Sequence, residues 1–159
     1  MTIGTVVTFS MNDALFALPV ARVQEILDAR TIAPLPNAPD YLLGLIDVRG
    51  ASVAVVDLRR LMGEPPREDT QDTRIIVFHA GDGPDGFVAA LRTDRVIEVA
   101  ELDEAPAGEV PISDRLQWRA RIVEEIGRRE GAFVSVLDSG RLLAQPAAAA
   151  AIEPLGAAT

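Results

Sequence analysis

In run after run of this chain apolar residues recur at every second position, and glycine, proline, asparagine or aspartate cuts each run short. Side chains two apart share one face of a strand, so the pattern builds half-buried β-strands joined by tight turns. Thr5–Phe9 and Ala14–Leu18 read as a hairpin turning at Met11-Asn12-Asp13 and stopped by Pro19. Leu45–Val48 and Ser52–Val56 flank Arg49-Gly50-Ala51, where Gly50 can supply the positive φ of a turn. Arg74–Phe78 and Phe87–Leu91 flank a turn over Gly81–Gly86; Val96–Val99 is a further short strand. Arg121–Val123 and Ala132–Leu137 form a last pair, separated by Gly127–Gly131. The expected fold class is mostly β, with short helices.

The helical signals are brief. Val20, Val23 and Ile26/Leu27 fall on one face of two turns, predicting a helix over 20–28. Pro39 to Leu43 reads as a helical turn ended by Gly44. Asp57 is an N-cap for a helix over 57–62, and Asp138 for one over 138–144. By period, Val23, Ile26, Leu42 and Leu45 belong to the core. Residues 64–73 are a polar, proline-containing loop, and 101–114 an acidic one without a basic residue. Val53–Asp57 and Val134–Asp138 echo each other as strands running into an Asp-capped turn, which suggests two similar β-subdomains.

The chemistry available is sparse. The chain has no cysteine and one histidine, His79, so thiolate nucleophiles, Cys-ligated metals and most imidazole relays are excluded. Asp82, Gly83 and Asp85 lack the spacing of a calcium loop and read as a turn. No catalytic residue, cofactor or metal is expected. All 15 basic residues are arginine, against 24 acidic ones, and the net charge of −9 opposes binding to a phosphate backbone. A small barrel that stacks single-stranded nucleic acid on aromatics is an alternative, but there are only five Phe, one Tyr and one Trp to do it. An enzyme built on paired carboxylates is another, with nothing to position a substrate. The first basic residue is Arg22, and no apolar run approaches the ~20 residues of a membrane span, so neither export nor membrane insertion is expected, and a cytoplasmic location is.

Several motifs then fall in a recognisable order. Phe9–Leu18 (FSMNDALFAL), Val23-Gln24-Glu25-Ile26, Leu35–Pro39 leading to Gly44, Val48-Arg49-Gly50 and Val55–Arg59 (VVDLR) resemble the CheW-like domain of bacterial chemotaxis. Thr93–Val99, and Ile126-Gly127 through Gly131 to Asp138 and Arg141–Leu143, resemble the later part of that domain. The resemblance spans residues 5–143 and leaves 144–159 as an Ala-rich tail. Asp47, Ala54, Phe16 and Glu125 depart from the family's usual asparagine, proline, tyrosine and glycine.

The resemblance implies two five-stranded SH3/OB-like β-barrels sharing a core. It also implies a non-catalytic adaptor coupling chemoreceptors, at their cytoplasmic tips, to the regulatory domain of the histidine kinase CheA. A CheW-like scaffold of another chemosensory pathway is the alternative. Carried over residue by residue, the family motifs make Val23, Glu25, Gly44, Arg49 and Gly50 the partner-binding candidates. Asp47 is expected to pair with Arg49 across the turn. The middle hairpin is expected in one barrel, and the amino-terminal hairpin, the strands after Arg74 and the closing strand mostly in the other.

Overall fold

In the computed structural model, which describes residues 2–81, 86–104 and 122–142, ten strands form two five-stranded sheets. They are β1 (Thr2–Met11), β2 (Ala14–Pro19), β3 (Val23–Asp28), β4 (Leu42–Val48), β5 (Ala51–Asp57), β6 (Arg74–Ala80), β7 (Phe87–Thr93), β8 (Arg95–Glu104), β9 (Val123–Arg129) and β10 (Ala132–Leu137). One helical turn, α1 (Leu58–Leu61), follows β5, and Asp57 caps it by accepting from the Arg59 N–H. The first sheet is a closed barrel in the order β1-β2-β10-β9-β8, and the second runs β3-β6-β7-β5-β4.

The two sheets repeat one plan. Read as β8-β1-β2-β10-β9 and β3-β6-β7-β5-β4, each has two antiparallel pairings, then a parallel one, then an antiparallel one. The echo seen in sequence marks the same strand in each, β5 and β10, which pair in parallel with β7 and β2 respectively. The match extends to single bonds: Asp57 N–H donates to the Tyr41 carbonyl, and Asp138 N–H to that of Ile122, both at 2.8 Å. Both hairpins end in a left-handed residue followed by a left-handed glycine, Arg49-Gly50 and Glu130-Gly131.

Three apolar clusters hold the molecule together. Val6, Ala17, Leu102, Val134 and Val136 fill the closed barrel, and Ile46, Val48, Val53, Val55, Ile75, Val77 and Ala90 fill the second sheet. Between them lies a larger shared core that includes Phe9, Phe16, Leu18, Val56, Leu58, Ile76, Phe78 and Leu91. Val53–Asp57 are therefore buried on both faces, Val53 and Val55 into their own sheet and Ala54 and Val56 into the shared core. Phe9 and Phe16 stack across the β1–β2 pair with ring centroids 6.2 Å apart.

Several expectations change. The segment 20–28 is a 3-10 turn, Val20–Arg22, followed by β3, not a helix. Burial along β3 alternates at period 2, because pairing with β6 satisfies its backbone and overrides the apparent helical spacing. Ile26, expected in the core, is 41% exposed. Leu42 is buried and Val23 and Leu45 pack against the shared core from its margin. Gly44 ends no helix; it lies inside β4. Of the strands after Arg74, β8 and β9 join the barrel of the amino-terminal hairpin as expected, whereas β6 and β7 join the sheet of the middle hairpin. β9 runs on through Gly127 to Arg129, so the turn is only Glu130-Gly131. Residues 139–142 form turns rather than helix, while 143 and 144, the tail, residues 82–85, 105–114 of the acidic stretch and Arg121 lie outside the described residues. Residues 101–104 of that stretch belong to β8.

Candidate functional site

The second sheet does not close through strand pairing. Its first and last strands, β3 and β4, approach each other without a ladder, and the gap between them is crossed in two ways. The chain beyond β3 returns at Ala33, which exchanges hydrogen bonds with Leu45 of β4 at 2.9 and 2.8 Å. Nearer the hairpin tip, Arg49 Nε stands 3.5 Å from Glu25 Oε2 of β3.

Gly44 makes the first crossing possible. It sits at a bulge in β4 with φ +144°, and a Cβ there would lie 2.0 Å from the Ala33 carbonyl oxygen. Only glycine allows Ala33 so close, so this candidate acts through the backbone. Gly50 acts likewise. With Val48 paired to Ala51, Arg49 and Gly50 are the two residues of a type I′ turn, at φ +53° and +86°. The expected turn thus loses Ala51 to β5.

Arg49 is the unusual member. An arginine in left-handed backbone costs about 1 kcal/mol relative to glycine, and asparagine or aspartate would suit the position better. Its side chain is 81% exposed, against 21% for that of Glu25. Asp47 is exposed, and the carboxylate that meets Arg49 belongs to Glu25 of β3 instead. Val23 lies two residues away on β3, with exposed Ile26 next to Glu25. The structure thus gathers Glu25, Arg49 and Gly50 along one seam, with Gly44 holding the seam shut and Val23 anchoring β3 to the shared core.

Sequence reading passed over a second polar cluster. Arg59, in the stretch read as a short helix, and Arg92, just past the strand read over Phe87–Leu91, are buried with Asp57. Arg92 Nη2 donates to Asp69 Oδ1 at 2.7 Å and to the Arg67 carbonyl, tying the loop 64–73 to β7. Burial pushes the Asp57 carboxyl above its usual range, and nearby Arg92 opposes the shift without cancelling it. Nothing in residue spacing announces such a cluster; the only signal was the capping role of Asp57. Among the described residues no group of three or more His, Cys, Asp or Glu could hold a metal ion, and no helix is long and apolar enough to cross a membrane. His79 is an exposed residue of β6, opposite Val88.

Comparison with known proteins agrees with this architecture. The family profile described as CheW-like domain matches residues 5–147. The chain is 25% identical over 147 residues to the chemotaxis protein CheW of Bacillus subtilis, covering 92% of this chain and 90% of that protein. It is 26% identical over 129 residues to the chemotaxis protein CheW of Helicobacter pylori, covering 81% and 74%. The crystal structure of the scaffolding protein TtCheW from Thermoanaerobacter tengcongensis superposes with a TM-score of 0.75 at 25% identity, covering 92% of this chain and 96% of that one. With its paired five-stranded units and a profile match across nearly its whole length, the chain belongs to the CheW-like family.

Proposed function

We propose that this chain is a non-enzymatic adaptor of bacterial chemotaxis that couples chemoreceptors to the histidine kinase CheA. The kinase's regulatory domain docks on the seam of the second sheet, and the receptor's cytoplasmic tip joins the same assembly, which places the protein at receptor arrays on the inner face of the membrane. Family membership supports the adaptor role. The observation that carries the docking site is Arg49: the turn would be more stable with another residue, yet a guanidinium is held there on a rigid hairpin and left 81% exposed. A strained residue that the fold does not need is a mark of function. A guanidinium so presented can take a partner carboxylate in two parallel bonds without loop-ordering cost. Apolar side chains along the seam, Val23 and exposed Ile26, supply the buried area, and the charges tune rate and specificity.

Arg49→Asn tests this with little risk to folding, since it puts an Asn-Gly pair at a type I′ turn. Its thermal midpoint should equal or exceed that of the parent, while affinity for a purified CheA regulatory domain, measured by calorimetry, falls about tenfold or more. Unchanged affinity would show that Arg49 is not a contact. Raising salt should weaken the parent complex only several-fold; a drop of orders of magnitude would mean an electrostatic interface placed elsewhere.

A further inference from the structure

The chain passes between the two five-stranded units at only two points among the described residues, and the points are built differently. One is Asp94, the single residue between β7 of the second sheet and β8 of the barrel. Its N–H donates to the Ser10 carbonyl at 3.2 Å, and its Oδ2 accepts from the Asn12 N–H at 2.9 Å, both at the tip of the β1–β2 hairpin. The same Oδ2 accepts from Arg59 Nη1 at 2.8 Å, and that nitrogen also donates to Asn12 Oδ1 at 2.9 Å. Arg59 comes from α1 of the other unit, and its Nε is committed to the Pro65 carbonyl. The two charged side chains are only 8% and 11% exposed. Arg67 Nη1 stands 3.7 Å away on the open side.

The other point is Val20–Arg22, between β2 and β3. By the internal repeat, the residue equivalent to Arg59 is Gly140, two past its capping aspartate as Arg59 is two past Asp57. Gly140 likewise reaches the opposite unit's hairpin, but only as bare backbone: a Cβ on it would stand 3.6 Å from the Gly81 nitrogen. Arg22 Nη1 donates to the Gly81 carbonyl at 3.1 Å, an exposed bond. One junction is therefore fastened by buried, charge-assisted and directional bonds, whereas at its counterpart a glycine stands in place of the arginine and the bond from Arg22 to the Gly81 carbonyl is exposed. Apolar packing in the shared core resists separation of the units, but the hydrophobic effect by itself is non-directional. Directional bonds are what fix an angle.

We propose that Arg59, Asp94 and Asn12 form a bolt that sets the angle between the two units, and that opening it lets them pivot about the Gly81–Gly140 contact while each stays folded. The inter-unit angle is then adjustable at one side chain, and any partner that competes for Asp94 or Arg59 changes it.

The test uses the full chain, isotopically labelled, with residual dipolar couplings from both units. The parent should fit a single alignment tensor. In Asp94→Asn, and separately in Asn12→Gly, which keeps the left-handed backbone of Asn12 and removes only its side-chain acceptor, each unit should still fit its own coordinates while the pair no longer fits one tensor. In Asp94→Asn the Asn12 amide should exchange with solvent about tenfold faster, with those of Val55, Val77, Val134 and Val136 unchanged. Two results overturn the proposal. One is a single tensor persisting in both variants. The other is global unfolding of Asp94→Asn together with an unaltered single tensor in Asn12→Gly, which would make the cluster part of a rigid core.

Discussion

The closed barrel and the second sheet share one strand plan and differ at the place where a five-stranded sheet meets its own edge. In the barrel, β8 and β9 pair through their backbones, Asp103 opposite Arg128 and Glu104 opposite Gly127. In the second sheet, the equivalent strands β3 and β4 are joined by the Ala33–Leu45 bridge and the Glu25–Arg49 ion pair. The repeat extends to the ion pairs: Arg129 at the end of the β9–β10 hairpin meets Glu98 of β8 at 3.0 Å, as Arg49 meets Glu25. It also extends to the bulges. Glu125 occupies in β9 the position that Gly44 occupies in β4, and it stands exposed with ordinary backbone. A sheet closed by backbone ladders tolerates a side chain there. One closed by a loop and an ion pair needs a glycine, and it leaves a seam where a partner can substitute its own contacts.

Gly44→Ala should break this difference most violently. Its new methyl would overlap a backbone carbonyl from strained φ, and the loss should exceed about 3 kcal/mol in a urea titration. The barrel's glycine offers the contrast. At Gly127 a Cβ would lie 2.8 Å from Cδ1 at the far end of the Ile3 side chain and 3.1 Å from the Asp103 carbonyl, so Gly127→Ala should cost about 1–2 kcal/mol. Equal losses at the two sites would mean that both sheets close in the same way.

Smaller still is the ion pair itself. Glu25→Gln should lower stability by less than about 1 kcal/mol, because Arg49 is solvated. A double-mutant cycle with Arg49→Asn should show coupling in partner affinity larger than coupling in stability. The reverse would make the pair structural.

The subtlest effect concerns Asp57, where burial raises the folded carboxyl above its usual value of 3.8. The folded state then holds a proton that the unfolded state has released. The stability linked to this group is therefore fully present below 3.8 and is lost as pH rises through the raised value. Relative to the parent, Asp57→Asn should gain stability as pH rises across that window, read from urea titrations at several pH values. A difference independent of pH would show that Asp57 ionises normally in the fold.

Alternation, tight-turn residues and the capping aspartates carried most strands, the Arg49-Gly50 turn, α1 and the repeat of β5 and β10, because each depends on neighbours along the chain. What failed were the segments whose state depends on a distant partner. Val23–Asp28 has helical spacing and became a strand because β6 lay ready to bond it. Gly44 resembled a helix stop and is a point of close approach to Ala33. Of the candidate site, the residue types at the seam were legible, and Arg49's partner was not: Asp47 is near in sequence, while Glu25 is near only after the second sheet has formed.

By itself, then, the sequence determined that the chain is mostly β, where its local turns fall, that its chemistry is poor in nucleophiles and metal ligands, and which motifs it shares with its family. Only the tertiary structure decided which strands share a sheet, that one sheet closes by a strand ladder and the other by a returning loop and an ion pair, and that Arg59 and Asp94 meet between the two units. Local rules fix φ, ψ and the face each side chain takes, whereas sheet membership and buried ion pairs depend on contacts between residues far apart in the chain, whose energies no single segment encodes.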